Sequence, residues 1–223
     1  MTDCPLPNST AQENRLSRTG VLLIVSALSG MGKSTLIHKL RTRHPEINFS
    51  ISCTTRAPRQ GEQHGRDYFF LDKDEFLSRR EKGYFAEWAE VHGNYYGTPL
   101  AHVEELRARG QDLLFDIDVQ GALQLQKSLP QAVSVFLFPP SLEKLKKRLL
   151  LRKTETTQTL QKRLSGAKNE IAQAHHFDYY IINDDLEKAA GLLEAVYLAQ
   201  TVKKDLAADT ANILLQNPGY KNG

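Results

Sequence analysis

The stretch "VLLIVSALSGMGKSTLIHKLRTRHP", residues 21–45, decides the architecture of this chain. Residues 21–25 form a short, uninterrupted apolar run, the pattern of a strand buried on both faces. Lys33 to Arg43 carries Leu36, Ile37 and Leu40 at helical spacing and stops before Pro45, which cannot continue a helix. A glycine-rich turn joins the two. In that order, successive backbone N–H groups surround an anion at the helix start, a lysine reaches the outer phosphates of a nucleotide, and a hydroxyl binds magnesium. The frame here is Ala27, Leu28, Ser29, Gly30, Met31, Gly32, Lys33 and Ser34, followed by Thr35. It departs from the usual pattern only at its first position, where Ala27 replaces glycine and is tolerated if φ stays negative. The bland alternative is a glycine cap after a core strand, with Lys33 solvated.

Working outward, "DLLFDID" (112–118) and "VSVFLF" (133–138) read as further buried strands, and "YYIIND" (179–184) as the last one. Helical stretches separate them, including one from about 99 to 110 and a terminal helix from 185 to about 208. This alternation predicts an α/β fold with a parallel sheet covered by helices on both faces. Residues 49–98 differ: "FSISCTTR" and "DYFFL" alternate or run aromatic, Gly and Pro punctuate them, and "KDEFLSRREKG" is one short helix. They read as a compact, strand-rich insertion. Residues 141–164 read as a charged helical hairpin.

A chain of 223 residues buries about two thirds of its unfolded surface and needs no disulfide or metal to hold it together. Its 29 Lys+Arg and 26 Asp+Glu give a formal charge of +3, with no basic block, which argues against a nucleic-acid partner. No run approaches the ~20 apolar residues of a membrane span. The polar first 18 residues lack a signal core, so the expected compartment is the cytoplasm. Cys4 and Cys53 match no metal or redox spacing.

An acid at the tip of a neighbouring strand would complete a phosphate site by orienting magnesium or its water. Asp116 and Asp118 are two apart and therefore on the same side of an extended strand, one to serve the metal and the other the substrate; a solvated strand end is the alternative. A second site is suggested by "SCTTRAPRQGEQHGRDYFF" (52–70), where Arg56 and Arg59 precede Tyr68: guanidinium groups and a phenol supply donors to a phosphate. The same run also fits a basic loop beside a core aromatic. "FAEWAEVHGNYYGTP" (85–99) adds Glu87, Tyr96 and Thr98. A carboxylate accepts the paired N1–H and 2-amino donors of guanine, which adenine does not offer.

Through "SALSGMGKST", "SISCTTRAPRQGEQHGRDYFF", "EWAEVHGNYYGTP", "DIDVQGA", "RLLLR…KR" and "DYYIINDD", the chain from about 20 to 207 resembles the guanylate kinase family of the nucleoside monophosphate kinases. The resemblance implies Mg2+-dependent transfer of the ATP γ-phosphoryl group to GMP, and to dGMP, on a P-loop kinase core with a GMP-binding insertion and a helical lid. It divides the chain into a tail (1–18), a core (19–51, 99–143 and 166–215), a GMP-binding unit (52–98), a lid (144–165) and a C-terminal tail (216–223). By resemblance, residues 27–35 hold the ATP phosphates, with Lys33 bridging β and γ; Ser34 binds magnesium and Asp116 reaches it through water. Arg56, Arg59, Tyr68 and Tyr96 hold the GMP phosphate, and Ser52, Glu87, Thr98 and Asp118 surround guanine. Arg56 with the lid residues Arg148, Arg152 and Arg163 neutralises charge during transfer. Asn183 lies on the adenine side, or else belongs to the core or caps a turn. Leu28, where the family often has Pro, and Lys153, where Gly is common, depart from the pattern without removing a ligand.

The partners so implied are ATP and GMP or dGMP, with no membrane and either a monomer or a homodimer. Rival readings are a guanylate-kinase-like interaction module, a kinase of a sugar phosphate and a P-loop switch. An intact lysine loop weighs against the first, the two carboxylates Glu87 and Asp118 against the second, and the polar cluster of residues 52–98 against the third.

Overall fold

The computed structural model describes residues 18–28, 31–91, 93–150 and 166–203, with the side chains of residues 147–150 excepted. The expected parallel α/β core is present. Five parallel strands lie in the order β2–β7–β1–β8–β9, formed by β1 (Leu22–Ala27), β2 (Asn48–Phe49), β7 (Leu113–Asp116), β8 (Val133–Phe138) and β9 (Tyr179–Ile182). All six residues of β1 are buried, because it is the central strand between β7 and β8. Such a strand has no solvent face and therefore reads as an unbroken apolar run. The helices α1 (Lys33–Arg43), α3 (Leu100–Ala108), α4 (Val119–Ser128), α5 (Leu142–Leu150), α6 (166–172) and α7 (Leu186–Thr201) surround this sheet.

A second sheet, in the order β4–β3–β6–β5, comprises β3 (Cys53–Thr54), β4 (Phe69–Phe70), β5 (Phe85–Val91) and β6 (Asn94–Pro99), with α2 (Lys73–Glu81) packed on it. Its own small core is Cys53, Phe76 and Phe85, with the Phe76 and Phe85 rings stacked at 4.4 Å. Gly97 is required there: a Cβ would sit 2.9 Å from the Phe85 ring. Burial pushes the Cys53 thiol up to about 12, so it is an inert core residue, as its lack of partner cysteines suggested.

Some boundaries differ from the reading of the sequence. Asn48–Phe49 pairs with β7 in the parallel sheet, so the "FSISCTTR" run divides between the two sheets. The last helix ends at Thr201, whose hydroxyl bonds the Leu198 carbonyl at 2.8 Å, and Lys203 N–H closes on Gln200; it stops short of residue 208, and residues 204–208 lie outside the described ones.

At the end of the sheet away from the glycine loop, buried Asp112 accepts two 2.8 Å bonds from Arg18 and one each from the Val21 N–H and the Tyr197 hydroxyl, both at 2.7 Å. Burial alone would raise this carboxyl, but these donors outweigh it and hold it below the usual carboxylate range. The network ties the start of β1 and the edge of β7 to α7, and so fixes the strand whose far end carries the loop.

Candidate active site

The strand order brings the carboxyl ends of β1 and β7 side by side, with Val25 opposite Asp116. Crevices at such ends are where open parallel sheets bind ligands. Gly32 caps α1 with φ 78° and ψ 22°, a left-handed conformation that a residue with a Cβ adopts only under strain. Gly32→Ala is therefore expected to destabilise the protein by about 1–2 kcal/mol, and its new Cβ would press on the Asn183 amide at 3.3 Å. Thermal unfolding checks this, and an unchanged midpoint would show that the turn relaxes.

Lys33 turns back from the first turn of α1. Its Nζ lies 2.7 Å from Asp116 Oδ1 and 2.7 Å from the Ile117 carbonyl. Ser34 and Thr35, next on the helix, are exposed. Ala27 ends β1 in extended conformation, which accommodates its methyl. Leu28 is buried in the core, so the departure at that position fills space in the fold. Met31 is buried, and its carbonyl accepts a 2.6 Å bond from Asn183 Nδ2. Asn183 is only 4% exposed and sits against the loop backbone. Ser29, Gly30, Arg152, Arg163 and Lys153 lie outside the described residues, as does the side chain of Arg148 on α5.

The expected same-side pairing of Asp116 and Asp118 is not what forms. β7 ends at Asp116, and Asp118 lies beyond it as the N-cap of α4, accepting a 2.8 Å bond from Gly121 N–H. The two acids are thereby divided, one to Lys33 and the other to the second sheet. There Glu87 faces Thr98 across the β5–β6 ladder, and Thr98 donates to Glu87 Oε1 at 2.7 Å. A Cβ built on Gly121 would lie 3.3 Å from Glu87 Oε2 and 3.4 Å from Asp118 Oδ1, so the two carboxylates converge on one spot at the start of α4. Glu87 is 6% exposed. Burial raises its pKa to about 6 and the Asp118 charge adds to that, against the Thr98 hydrogen bond.

A cavity of about 360 Å³ opens between the sheets, lined by Ser52, Tyr68, Thr98, Asp116 and Ile117 among others. Ser50, whose buried hydroxyl has no hydrogen-bond partner, lines it too. Because Lys33 bonds both Asp116 and Ile117, the loop lysine touches the wall of this cavity. A larger cavity, about 490 Å³, lies around Gly20, Pro130 and Gln200 and holds none of the candidate residues.

Beside the first cavity, the Arg56 guanidinium lies 5.4 Å over the Tyr68 ring, and Tyr68 meets Tyr96 edge to face at 6.1 Å. Arg59 is exposed three residues on. One residue not singled out from the sequence joins them: Glu62 accepts from Arg56 at 2.9 Å and from the Arg59 N–H at 2.7 Å. Its carboxylate keeps the Arg56 guanidinium firmly protonated. Glu62 lies inside the quoted basic run, three after Arg59, a spacing that suits a side chain closing back on the backbone. Glu170, on α6, was not singled out from the sequence either: burial and then the Asp118 charge raise its pKa, while Lys33 lowers it. No local pattern marked that residue, since only the tertiary fold brings α6 to the loop.

The chemistry of the oxygen donors suits a hard cation. Among the described residues no group of three or more His, Cys, Asp or Glu could hold a metal alone, but magnesium commonly takes one or two protein oxygens and fills its shell with water and phosphate. The exposed Ser34 hydroxyl and the Asp116 carboxylate fit that mode. No helix among the described residues is long and apolar enough to cross a membrane.

Comparison with known proteins agrees in one direction. The family model described as Guanylate kinase matches residues 19–200. A guanylate kinase of Oleidesulfovibrio alaskensis is 50% identical over 200 residues, covering 90% of this chain and 97% of that protein. One of Nitratidesulfovibrio vulgaris is 47% identical over 199 residues, covering 89% and 96%. The crystal structure of guanylate kinase from Anaplasma phagocytophilum superposes with a TM-score of 0.68 at 33% identity, covering 92% of this chain and 99% of that one.

Proposed function

The chain belongs to the guanylate kinase family, and from that premise we propose that this phosphotransferase moves the γ-phosphoryl group of ATP in line to GMP, and to dGMP, without a general base. The observation that best supports a guanine acceptor is the convergence of the Glu87 and Asp118 carboxylates beside Gly121. Two acceptors there match the N1–H and 2-amino donors of guanine, while Thr98 and Ser52 serve its O6 side.

The phosphate of GMP is already ionised near neutral pH, so transfer depends on placement and charge balance. Arg56, Arg59, Tyr68 and Tyr96 grip that phosphate at one end of the cavity. Residues 27–35 cradle the ATP phosphates, and Asn183 holds the Met31 carbonyl so that the loop keeps its shape. Lys33 exchanges Asp116 and the Ile117 carbonyl for phosphate oxygens. Arg56, Arg148, Arg152 and Arg163 neutralise the charge that spreads over the moving group. The unit of residues 52–98 and the lid of residues 144–165 close when both nucleotides supply anions for these cations, which excludes water as a competing acceptor. Magnesium, held by Ser34 and through water by Asp116, would supply further charge neutralisation. A cytoplasmic location fits an enzyme drawing on ATP.

The test is ADP formation with Mg–ATP across GMP, dGMP, AMP, CMP, UMP and ribose phosphates. Turnover confined to the guanine nucleotides is expected. Folded, ATP-binding protein that turns over none of them would point to the interaction module, and turnover of a ribose phosphate to the sugar-phosphate kinase.

A further inference from the structure

β5 is the edge strand of the second sheet, and its ladder with β6 shifts register between Phe85 and Glu87. Such a bulge re-aims the next side chain and leaves backbone groups without ladder partners. Here α4 supplies the partners. Ser128 Oγ donates to the Ala86 carbonyl at 2.7 Å. Gln124 Oε1 accepts from the Trp88 N–H at 3.2 Å, and its Nε2 donates to the Trp88 carbonyl at 3.1 Å. The Gln124 amide thus stands in for a missing strand. Gln124 and Ser128 are four apart, on one face of the helix, and they grip the backbone on both sides of Glu87. The same helix begins at Asp118, its N-cap.

We infer that Gln124, assisted by Ser128, is a positioning residue for base selection: α4 acts as a ruler that sets the Glu87 carboxylate relative to Asp118. The inference rests on the guanine-reading role proposed for that pair. Neither residue touches the acceptor. They act by holding a bulged edge strand that would otherwise exchange its open groups with water and let Glu87 drift. Discrimination by hydrogen bonds to a base needs acceptors fixed within a fraction of an ångström. Gly121 belongs to the same device, because a side chain there would meet both carboxylates.

The experiment compares GMP with IMP, which keeps the phosphate, O6 and N1–H but lacks the 2-amino group. In Gln124→Ala and Ser128→Ala, the preference in kcat/KM for GMP over IMP is expected to fall about tenfold, with the KM for ATP unchanged and kcat for GMP within about threefold. Gln124→Glu keeps the acceptor for the Trp88 N–H but loses the donor to its carbonyl, so it is expected to fall between wild type and Gln124→Ala. Should Gln124→Ala fail to fold, the Ser128→Ala and Gln124→Glu variants carry the comparison. Folded variants with the wild-type preference would overturn the ruler. A wild-type protein that turns over GMP and IMP equally would instead overturn the guanine reading, and the ruler with it.

Discussion

Lys33→Ala is expected to lower kcat by about a thousandfold with GMP KM changed by less than about threefold. The lysine lies where the loop and the cavity meet, with Nζ bonded to Asp116 and to the Ile117 carbonyl. Both are groups that phosphate oxygens can replace, so the ammonium is prepared for an anion. A cation aimed at charge that develops during transfer stabilises the transition state more than the bound substrate, which puts the loss in kcat. The fold should survive. The Lys33 side chain is 20% exposed and that of Asp116 31%, so water can take over the solvation of the orphaned carboxylate. Thermal unfolding beside steady-state kinetics separates the two effects, and Lys33→Met, which keeps most of the length without the charge, should behave like the alanine. A kcat within tenfold of wild type in either variant would remove Lys33 from the transfer step.

Glu87→Gln is expected to raise KM for GMP about a hundredfold, since charged hydrogen bonds to the base are lost and an amide N–H is set against a donor. It is also expected to stabilise the empty protein at pH 8 by about 1 kcal/mol. Burial lifts the Glu87 pKa from 4.5 to about 6. A carboxyl raised in this way contributes stability that is complete below the unfolded value and lost as pH rises through the folded one. The amide never ionises, so the variant should gain on wild type as pH climbs through about 6 and lose that advantage below about 4.5. Base recognition runs the other way: wild-type affinity should fall as pH drops below about 6 and the acceptor carboxylate becomes a donor. Measuring guanosine as well as GMP keeps the titration of the nucleotide phosphate out of the result. A flat guanosine profile across pH 5–8, or a variant less stable at pH 8, would contradict this account of Glu87.

Both effects follow from groups whose identity was legible in the chain but whose setting was not. Lys33 could be placed at a helix start because a buried strand, two glycines and a helix succeed one another within 25 residues of sequence. The strand of residues 133–138 was equally plain, since its apolar run coincides with β8. Asp116 and Asp118 were visible as acids at a strand end. Their setting against Lys33 and α4 was hidden, because whether a strand stops two residues earlier depends on the helix cap that competes for the second acid. The two-residue strand Asn48–Phe49 gave too short a pattern to assign to either sheet. Glu170 and Gln124 had no local signal at all, for their importance lies in what another segment places against them.

The sequence by itself determined the parallel α/β core, the lysine loop, the strand-rich insertion and the chemical types of the candidate ligands, because burial periodicity and backbone freedom act over neighbouring residues. Only the tertiary structure decided that Lys33 rests on the cavity wall, that Glu87 is buried enough to titrate near pH 6, and that α4 spaces it from Asp118. Those properties arise from desolvation and hydrogen bonds between segments far apart in the chain, which local patterns do not encode.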